Sequence, residues 1–109
     1  MKLIKDYTVL NLDPTLIAIN EDIDAIGGEG VITSAHRPGD PGVHGQLPCR
    51  GLDRRCRNAG LGNAIKQYIN RRWEYDPDRP EMEVCIFHKC DEYGWHLHTQ
   101  THKNTRRRP

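Results

Sequence analysis

The chain lacks an excess of charge of either sign: 16 Lys and Arg against 15 Asp and Glu leave a formal net charge of +1 over 109 residues. Near-neutrality excludes bulk attraction to nucleic acid or to an anionic membrane as the basis of function, outside the short run Lys103-Asn104-Thr105-Arg106-Arg107-Arg108. No aromatic platform accompanies that run in the sequence, so specific nucleic-acid binding is not expected, and residues 103–109 read as a disordered basic tail. A long apolar run is also missing. Lys5 and Asp6 interrupt Met1-Lys2-Leu3-Ile4 before it can form a signal-peptide core, and no segment approaches bilayer-spanning length. These absences lead to the expectation of a protein that is cytoplasmic on synthesis and makes no membrane contact.

The cysteines lack the familiar two-residue spacing of zinc ribbons. Cys49, Cys56, Cys85 and Cys90 are even in number, but without a secretory signal parity does not establish disulfides, and reduced thiols are expected. A closed thiolate zinc site on these four remains an alternative. Internal repeats and extended low-complexity segments are absent as well. The length is that of one domain, so any active site must be built on a single core.

What is present alternates between helical and strand periodicity. From Pro14 to Ile26, apolar Leu16, Ile19, Ile23 and Ile26 recur at helical spacing, with Asp13 as N-cap, Pro14 in the first turn and Gly27-Gly28 as the stop. Gly30 to Ala35 reads as a short buried strand through Val31 and Ile32, delivering His36 and Arg37 at its end. Pro38 to Arg50, with three prolines and three glycines, reads as a shaped loop containing His44, and Asp53 follows in the same turn-rich stretch. Leu61, Ile65, Tyr68, Ile69 and Trp73 mark one face of a second helix that ends before Asp76-Pro77-Asp78-Arg79-Pro80. Met82 to His88 and Trp95 to His102 read as an antiparallel hairpin turning around Asp91 to Gly94. In its second strand the two-residue period places His96, His98, Gln100 and His102 on one face, and Trp95, Leu97, Thr99 and Thr101 on the other. The expected architecture is therefore α+β, a small mainly antiparallel sheet with two supporting helices.

Two His and one Asp leave a tetrahedral zinc one open position, the arrangement of a catalytic site and not of a closed structural one. His44, Asp53 and His98 are the candidate ligands. Ordinary readings compete: a loop His is commonly an exposed side chain, Asp53 could cap a turn, and His36, His88 and His102 read as surface residues.

Ile32-Thr33-Ser34-Ala35-His36-Arg37, then His44, Cys49-Arg50-Gly51-Leu52-Asp53 and His96-Leu97-His98, together resemble the zinc D-Ala-D-Ala carboxypeptidase superfamily. That superfamily includes bacterial and phage murein peptidases and the hedgehog signalling domain. The resemblance covers roughly residues 30 to 102, and it implies a zinc peptidase-like domain over residues 1–102 with His44, Asp53 and His98 as ligands. The gap from His44 to Asp53 is two residues longer than the family's usual one, which an insertion in the Gly45 to Pro48 bend would accommodate. Many carboxypeptidase members carry their acid three residues before the last ligand, where this chain has Trp95. Glu92, six residues before His98 as in the hedgehog-type arrangement, takes the general-base role instead. Arg37 resembles the arginine that follows the family's Ser-Gly-Tyr element and faces substrate, and His96 is placed to donate to the tetrahedral intermediate.

The implied function is zinc-dependent hydrolysis of peptidoglycan peptides containing D-amino acids, in phage lysis or cell-wall remodelling, with action at the wall after release. The alternatives are a non-catalytic zinc-binding recognition domain of the same fold and a cysteine-zinc structural protein.

Overall fold

The computed structural model describes residues 2–3, 11–35, 48–90 and 94–109. In chain order these form strand β1 (Lys2–Leu3), helix α1 (Pro14–Ala25), β2 (Val31–Ser34), β3 (Gly51–Arg55), helix α2 (Ala59–Arg72), β4 (Trp73–Glu74), β5 (Cys85–Cys90), β6 (Gly94–Gln100) and β7 (Arg106–Arg107). The main sheet has the order β1-β2-β3-β6-β5 with every pairing antiparallel, and β4 and β7 form a separate two-stranded ribbon. The architecture is α+β, as the periodicities indicate. Among the described residues no helix is long and apolar enough to cross a membrane.

Both helices begin where their caps place them. The Asp13 carboxylate accepts from the Leu16 amide at 3.2 Å and Pro14 occupies the first turn. The Asn58 side chain accepts from the Leu61 amide at 2.9 Å and opens α2. Helix α1 stops because Gly27 takes φ +93°, a left-handed conformation that costs glycine little. Gly62 matters for packing instead. A Cβ there would lie 2.4 Å from the Phe87 ring, so its absence lets α2 lie close against β5.

The helices cover one face of the main sheet. Ile19 and Ile23 of α1, Ile65 and Ile69 of α2, and Val84, Cys85 and Leu97 from the sheet side form the larger core cluster, closed by Trp73 and Tyr75. Leu12, Leu16, Ile32, Cys49 and Leu52 form a second cluster beside it.

Strand β3 corrects the sequence reading. Asp53 lies in the middle of a strand between β2 and β6, not in a turn-rich stretch. The alternation is hidden because the core-facing positions are Leu52 and Arg54, and Arg54 is fully buried. Its Nε donates to the Glu29 carbonyl at 2.9 Å, Nη1 donates to Asn20 Oδ1 at 3.2 Å, and Nη2 donates to the Asp24 carboxylate. A cation out of water requires such acceptors, and they come from α1 and the connection that follows it.

The basic C-terminal run is also ordered, in contrast to the disordered tail that its composition suggests. Arg106–Arg107 pairs with Trp73–Glu74, the Thr105 hydroxyl donates to the Tyr75 carbonyl at 2.7 Å, and the Arg108 amide donates to the Arg72 carbonyl at 2.8 Å. The arginines meet specific partners: Arg106 and Arg108 reach Glu74, and Arg107 reaches Asp22 while its guanidinium lies 4.2 Å from the Trp73 ring centroid.

Arg54→Ala would leave a void and strip Asn20, Asp24 and the Glu29 carbonyl of their shared donor. The expected loss is about 3 kcal/mol of unfolding free energy in urea denaturation, moderated because Asp24 can regain water. Arg54→Lys should recover only part, since it keeps the charge without the guanidinium fork. An unchanged denaturation midpoint for Arg54→Ala would show that the network contributes nothing.

Candidate functional site

The face of the sheet opposite the helices carries the polar residues. Asp53 and His98 are Cα partners across β3 and β6, and Ser34 is the partner of Asp53 in β2. His96 of β6 is the partner of both Arg55 in β3 and His88 in β5. Directly opposed residues project to the same face, so register alone assembles Ser34, Asp53, Arg55, His88, His96 and His98 there. The two-residue period accounts for the segregation within β6: Leu97 and Thr99 turn into the core, and His96 and His98 turn away from it.

The centre of this face is a carboxylate–imidazole pair. His98 Nδ1 lies 2.6 Å from Asp53 Oδ1, with both side chains largely shielded. His98 Nε2 lies 3.2 Å from Gln100 Oε1. Gln100 Nε2 donates to the Glu83 carbonyl at 2.8 Å, which orients the amide and leaves its oxygen facing His98. The carboxylate and the amide oxygen are both acceptors for a ring N–H, and which ring nitrogen donates follows the tautomer. At 2.6 Å the contact with Asp53 is a short, charge-assisted hydrogen bond. An imidazole held between a carboxylate and an amide is oriented by both partners.

His96 sits beside this pair, 5% exposed, with Nδ1 donating to the Gly94 carbonyl at 3.2 Å. That bond leaves the Nε2 lone pair available in the neutral ring, so His96 donates from Nε2 only when protonated. The His88 ring centroid is 4.2 Å from that of His96 and 6.2 Å from that of His98.

The site residues read from sequence divide into three groups. Asp53 and His98 are brought together, with His96 adjacent. Arg37, His44 and Glu92, with His36, lie outside the described residues. His102 leaves the site because β6 ends at Gln100; its ring stands 5.8 Å from that of Tyr75, and its Nδ1 is 3.5 Å from an Asp76 oxygen. Among the described residues no group of three or more His, Cys, Asp or Glu is arranged to hold a metal ion. Asp53 and His98 are the two sequence-read ligand candidates that the described residues bring together.

Sequence reasoning names two further contributors without giving either a site role. Gln100 is legible as the i+2 neighbour of His98 on its strand face. His88 can be found only with the hairpin register in hand, since that register places it opposite His96.

The cysteines take a different role. Cys49, Cys56 and Cys85 are buried free thiols, Cys49 in the smaller core cluster and the other two in the larger. Burial, and then the Glu83 charge, push the Cys85 thiol up to about 12, and burial also raises that of Cys56. At neutral pH both are protonated side chains of the core and not preformed thiolate ligands. No family model, no curated protein and no solved structure matches this chain.

Partial burial of its ring, and then the neighbouring His96 and His98, hold His88 below the usual imidazole range, with Asp53 opposing them. The folded chain therefore takes up this proton less readily than the unfolded chain, where an imidazole titrates near about 6.5. Stability associated with neutral His88 is complete above that pH and is lost as pH falls toward the folded-state value. In metal-free protein, NMR titration should give His88 a midpoint below that of an exposed histidine, and His96→Gln should raise it. A midpoint at or above the ordinary value would contradict this arrangement.

Proposed function

We propose that this chain is a zinc-dependent peptidase that hydrolyses bacterial cell-wall peptides containing D-amino acids, in phage lysis or wall remodelling. The observation that carries the reading is the Asp53–His98 pair: a carboxylate oxygen and an imidazole nitrogen at 2.6 Å on adjacent strands, with Gln100 fixing the outer nitrogen. Sequence spacing and the family resemblance nominate His44 as the third ligand, leaving one position for substrate or water. Bound there, zinc would polarise a scissile carbonyl and lower the pKa of water from 15.7 toward about 7.

The chain's own residues divide the remaining work. Asp53 would contribute a negative charge that offsets the cation, and Gln100 orients the His98 ring. Glu92 takes the proton of the attacking water and returns it to the leaving amine, so that one water is consumed and an acid and an amine are released. Protonated His96 donates from Nε2 to the tetrahedral oxyanion, since its Nδ1 is engaged by the Gly94 carbonyl. Arg37 holds a substrate carboxylate through its guanidinium fork.

The metal assignment predicts one zinc per folded chain, lowered by His44→Ala, Asp53→Ala and His98→Ala and unaffected by Cys49→Ser or Cys85→Ser. Elemental analysis of folded variants decides it: full retention in all three ligand variants rejects the site, and zinc loss confined to the cysteine variants selects a thiolate centre. Gln100→Leu should weaken zinc affinity by about 10-fold to 100-fold, because the ring loses the acceptor that orients it.

The catalytic assignment is tested by incubating zinc-loaded protein with purified murein and defined muropeptides and weighing the products. Loss of one terminal D-Ala would identify a carboxypeptidase, and a split between stem residues an endopeptidase. Glu92→Gln should keep zinc and fold but lose turnover by roughly 100-fold or more. Wild-type-like turnover in that variant would move the base to another residue, with His96 next in line. Zinc binding by the parent chain without cleavage of any muropeptide would mark a recognition domain.

A further inference from the structure

The turn that leads into β7 sets one imidazole nitrogen between two partners that make opposite demands on it. His102 Nδ1 accepts from the Asn104 amide at 3.2 Å, a bond that needs a lone pair on that nitrogen. The same nitrogen lies 3.5 Å from Asp76 Oδ2, in the connection between β4 and β5, a contact that needs a proton there. One nitrogen cannot meet both demands at once, so its protonation state selects the partner. The Asp78 amide donates to Asp76 Oδ1 at 3.0 Å, and the Asn104 side-chain amide reaches the same oxygen at 3.4 Å. The Asp78 amide first, and then the Asn104 and Arg79 side chains, hold the Asp76 carboxyl below its usual range against the opposing effect of burial. Asp76 is therefore an anion wherever an imidazole titrates. Among the described residues, the other groups around His102 are Arg79, whose Nε lies 3.4 Å from Asp76 Oδ2 and competes for it, the Tyr75 ring at 5.8 Å between centroids, and the exposed Lys103.

We infer that His102 is a proton-operated clip on the C-terminal strap, residues 103–109: uncharged, it closes its own turn through Asn104; charged, it turns to Asp76 and ties the strap to the β4–β5 connection. Beyond the clip, the Thr105 hydroxyl donates to the Tyr75 carbonyl, Arg106–Arg107 pairs with Trp73–Glu74, and the Arg107 guanidinium lies over the Trp73 ring. The clip thus acts on the segment that closes the end of the larger core at Trp73 and Tyr75. Protonation exchanges a bond inside an exposed turn for an ion pair between two segments. Asp76 in that pair is shielded from water, at 6% exposure, and hydrogen bonds between charged groups are about twice as strong as neutral ones. Arg79 takes back part of the gain, but its side chain is 46% exposed and can turn to water. The strap is therefore held more firmly in acid: a contact that only the protonated ring makes is present below the imidazole titration and is lost as pH rises through it. His102 stands apart from the Asp53–His98 pair, so the clip does not rest on the peptidase reading.

The test is an NMR pH titration of the full chain, with amide hydrogen exchange measured at the same pH values. The Asn104 amide resonance should follow the titration of the His102 ring, because the proton removes its acceptor. The Arg108 amide, which donates to the Arg72 carbonyl, reports on the strap. Its protection should rise at least about 3-fold from about pH 8 to about pH 5, after correction for intrinsic exchange. His102→Gln keeps an acceptor for the Asn104 amide and takes up no proton, so both changes should vanish in it while the other histidines still titrate. Asp76→Asn should leave the Asn104 resonance following His102 and remove the gain in protection. An Asn104 resonance indifferent to His102, no rise in Arg108 protection in the parent chain, or a rise that persists in His102→Gln would each overturn the inference, the last by assigning the pH dependence to another group. Each variant is compared with itself across pH, so a change in its overall stability does not obscure the result.

Discussion

A guanidinium sealed between helix and sheet governs how the rest of the molecule is arranged. Arg54 is fully buried and cannot shed its charge, so its acceptors must stand in fixed positions. Asn20 and Asp24 of α1 and the Glu29 carbonyl provide them, which locks α1, the connection after it and β3 into one unit. The same connection is held from outside, where the Glu29 carboxylate accepts from the Arg57 amide at 2.7 Å and meets the Arg55 and Arg57 side chains. Those contacts lower the Glu29 pKa against the opposing effect of burial. Because strand residues alternate, anchoring Arg54 inward also sets Asp53 outward.

The chemistry of the polar face then depends on register. Asp53 meets His98, and His88 meets His96, only because β3, β6 and β5 pair in one alignment; a slip of one residue would send each to the helical side. The core side enforces that alignment. Thr99, between His98 and Gln100, is fully buried, donates its hydroxyl to the Leu52 carbonyl at 3.1 Å and accepts from the Asn20 amide at 3.0 Å. Leu97 fills the core on the other side of His98. A buried polar side chain with directional bonds specifies position more sharply than apolar packing, which tolerates small displacements.

The two surfaces of the layered fold have separate characters. The sheet face gathers a carboxylate and three imidazoles into one partly shielded patch. The outer face of α2, with the β4–β7 ribbon at its end, gathers guanidinium groups. The near-zero net charge of the whole chain conceals this separation, because composition counts charges without locating them.

Both helices and the faces of β6 were legible in the sequence, since each rests on local spacing: Asp13 before Pro14, apolar residues every third or fourth position, His96 and His98 alternating with Leu97 and Thr99. Strand β3 was not legible, because an arginine at a core position erased the apolar alternation. Nor was the ordered C-terminal run, whose arginines look solvated until Glu74, Asp22 and the Trp73 ring are placed beside them. The sequence by itself determined the two helices, strand β2, the β5–β6 hairpin and which side of β6 is polar. Only the tertiary structure decided that Arg54 could be buried and that Asp53 would meet His98. The partners in those contacts lie 30 and 45 residues apart, so no local pattern encodes them, and they become neighbours only when the sheet register and the helix docking are both satisfied.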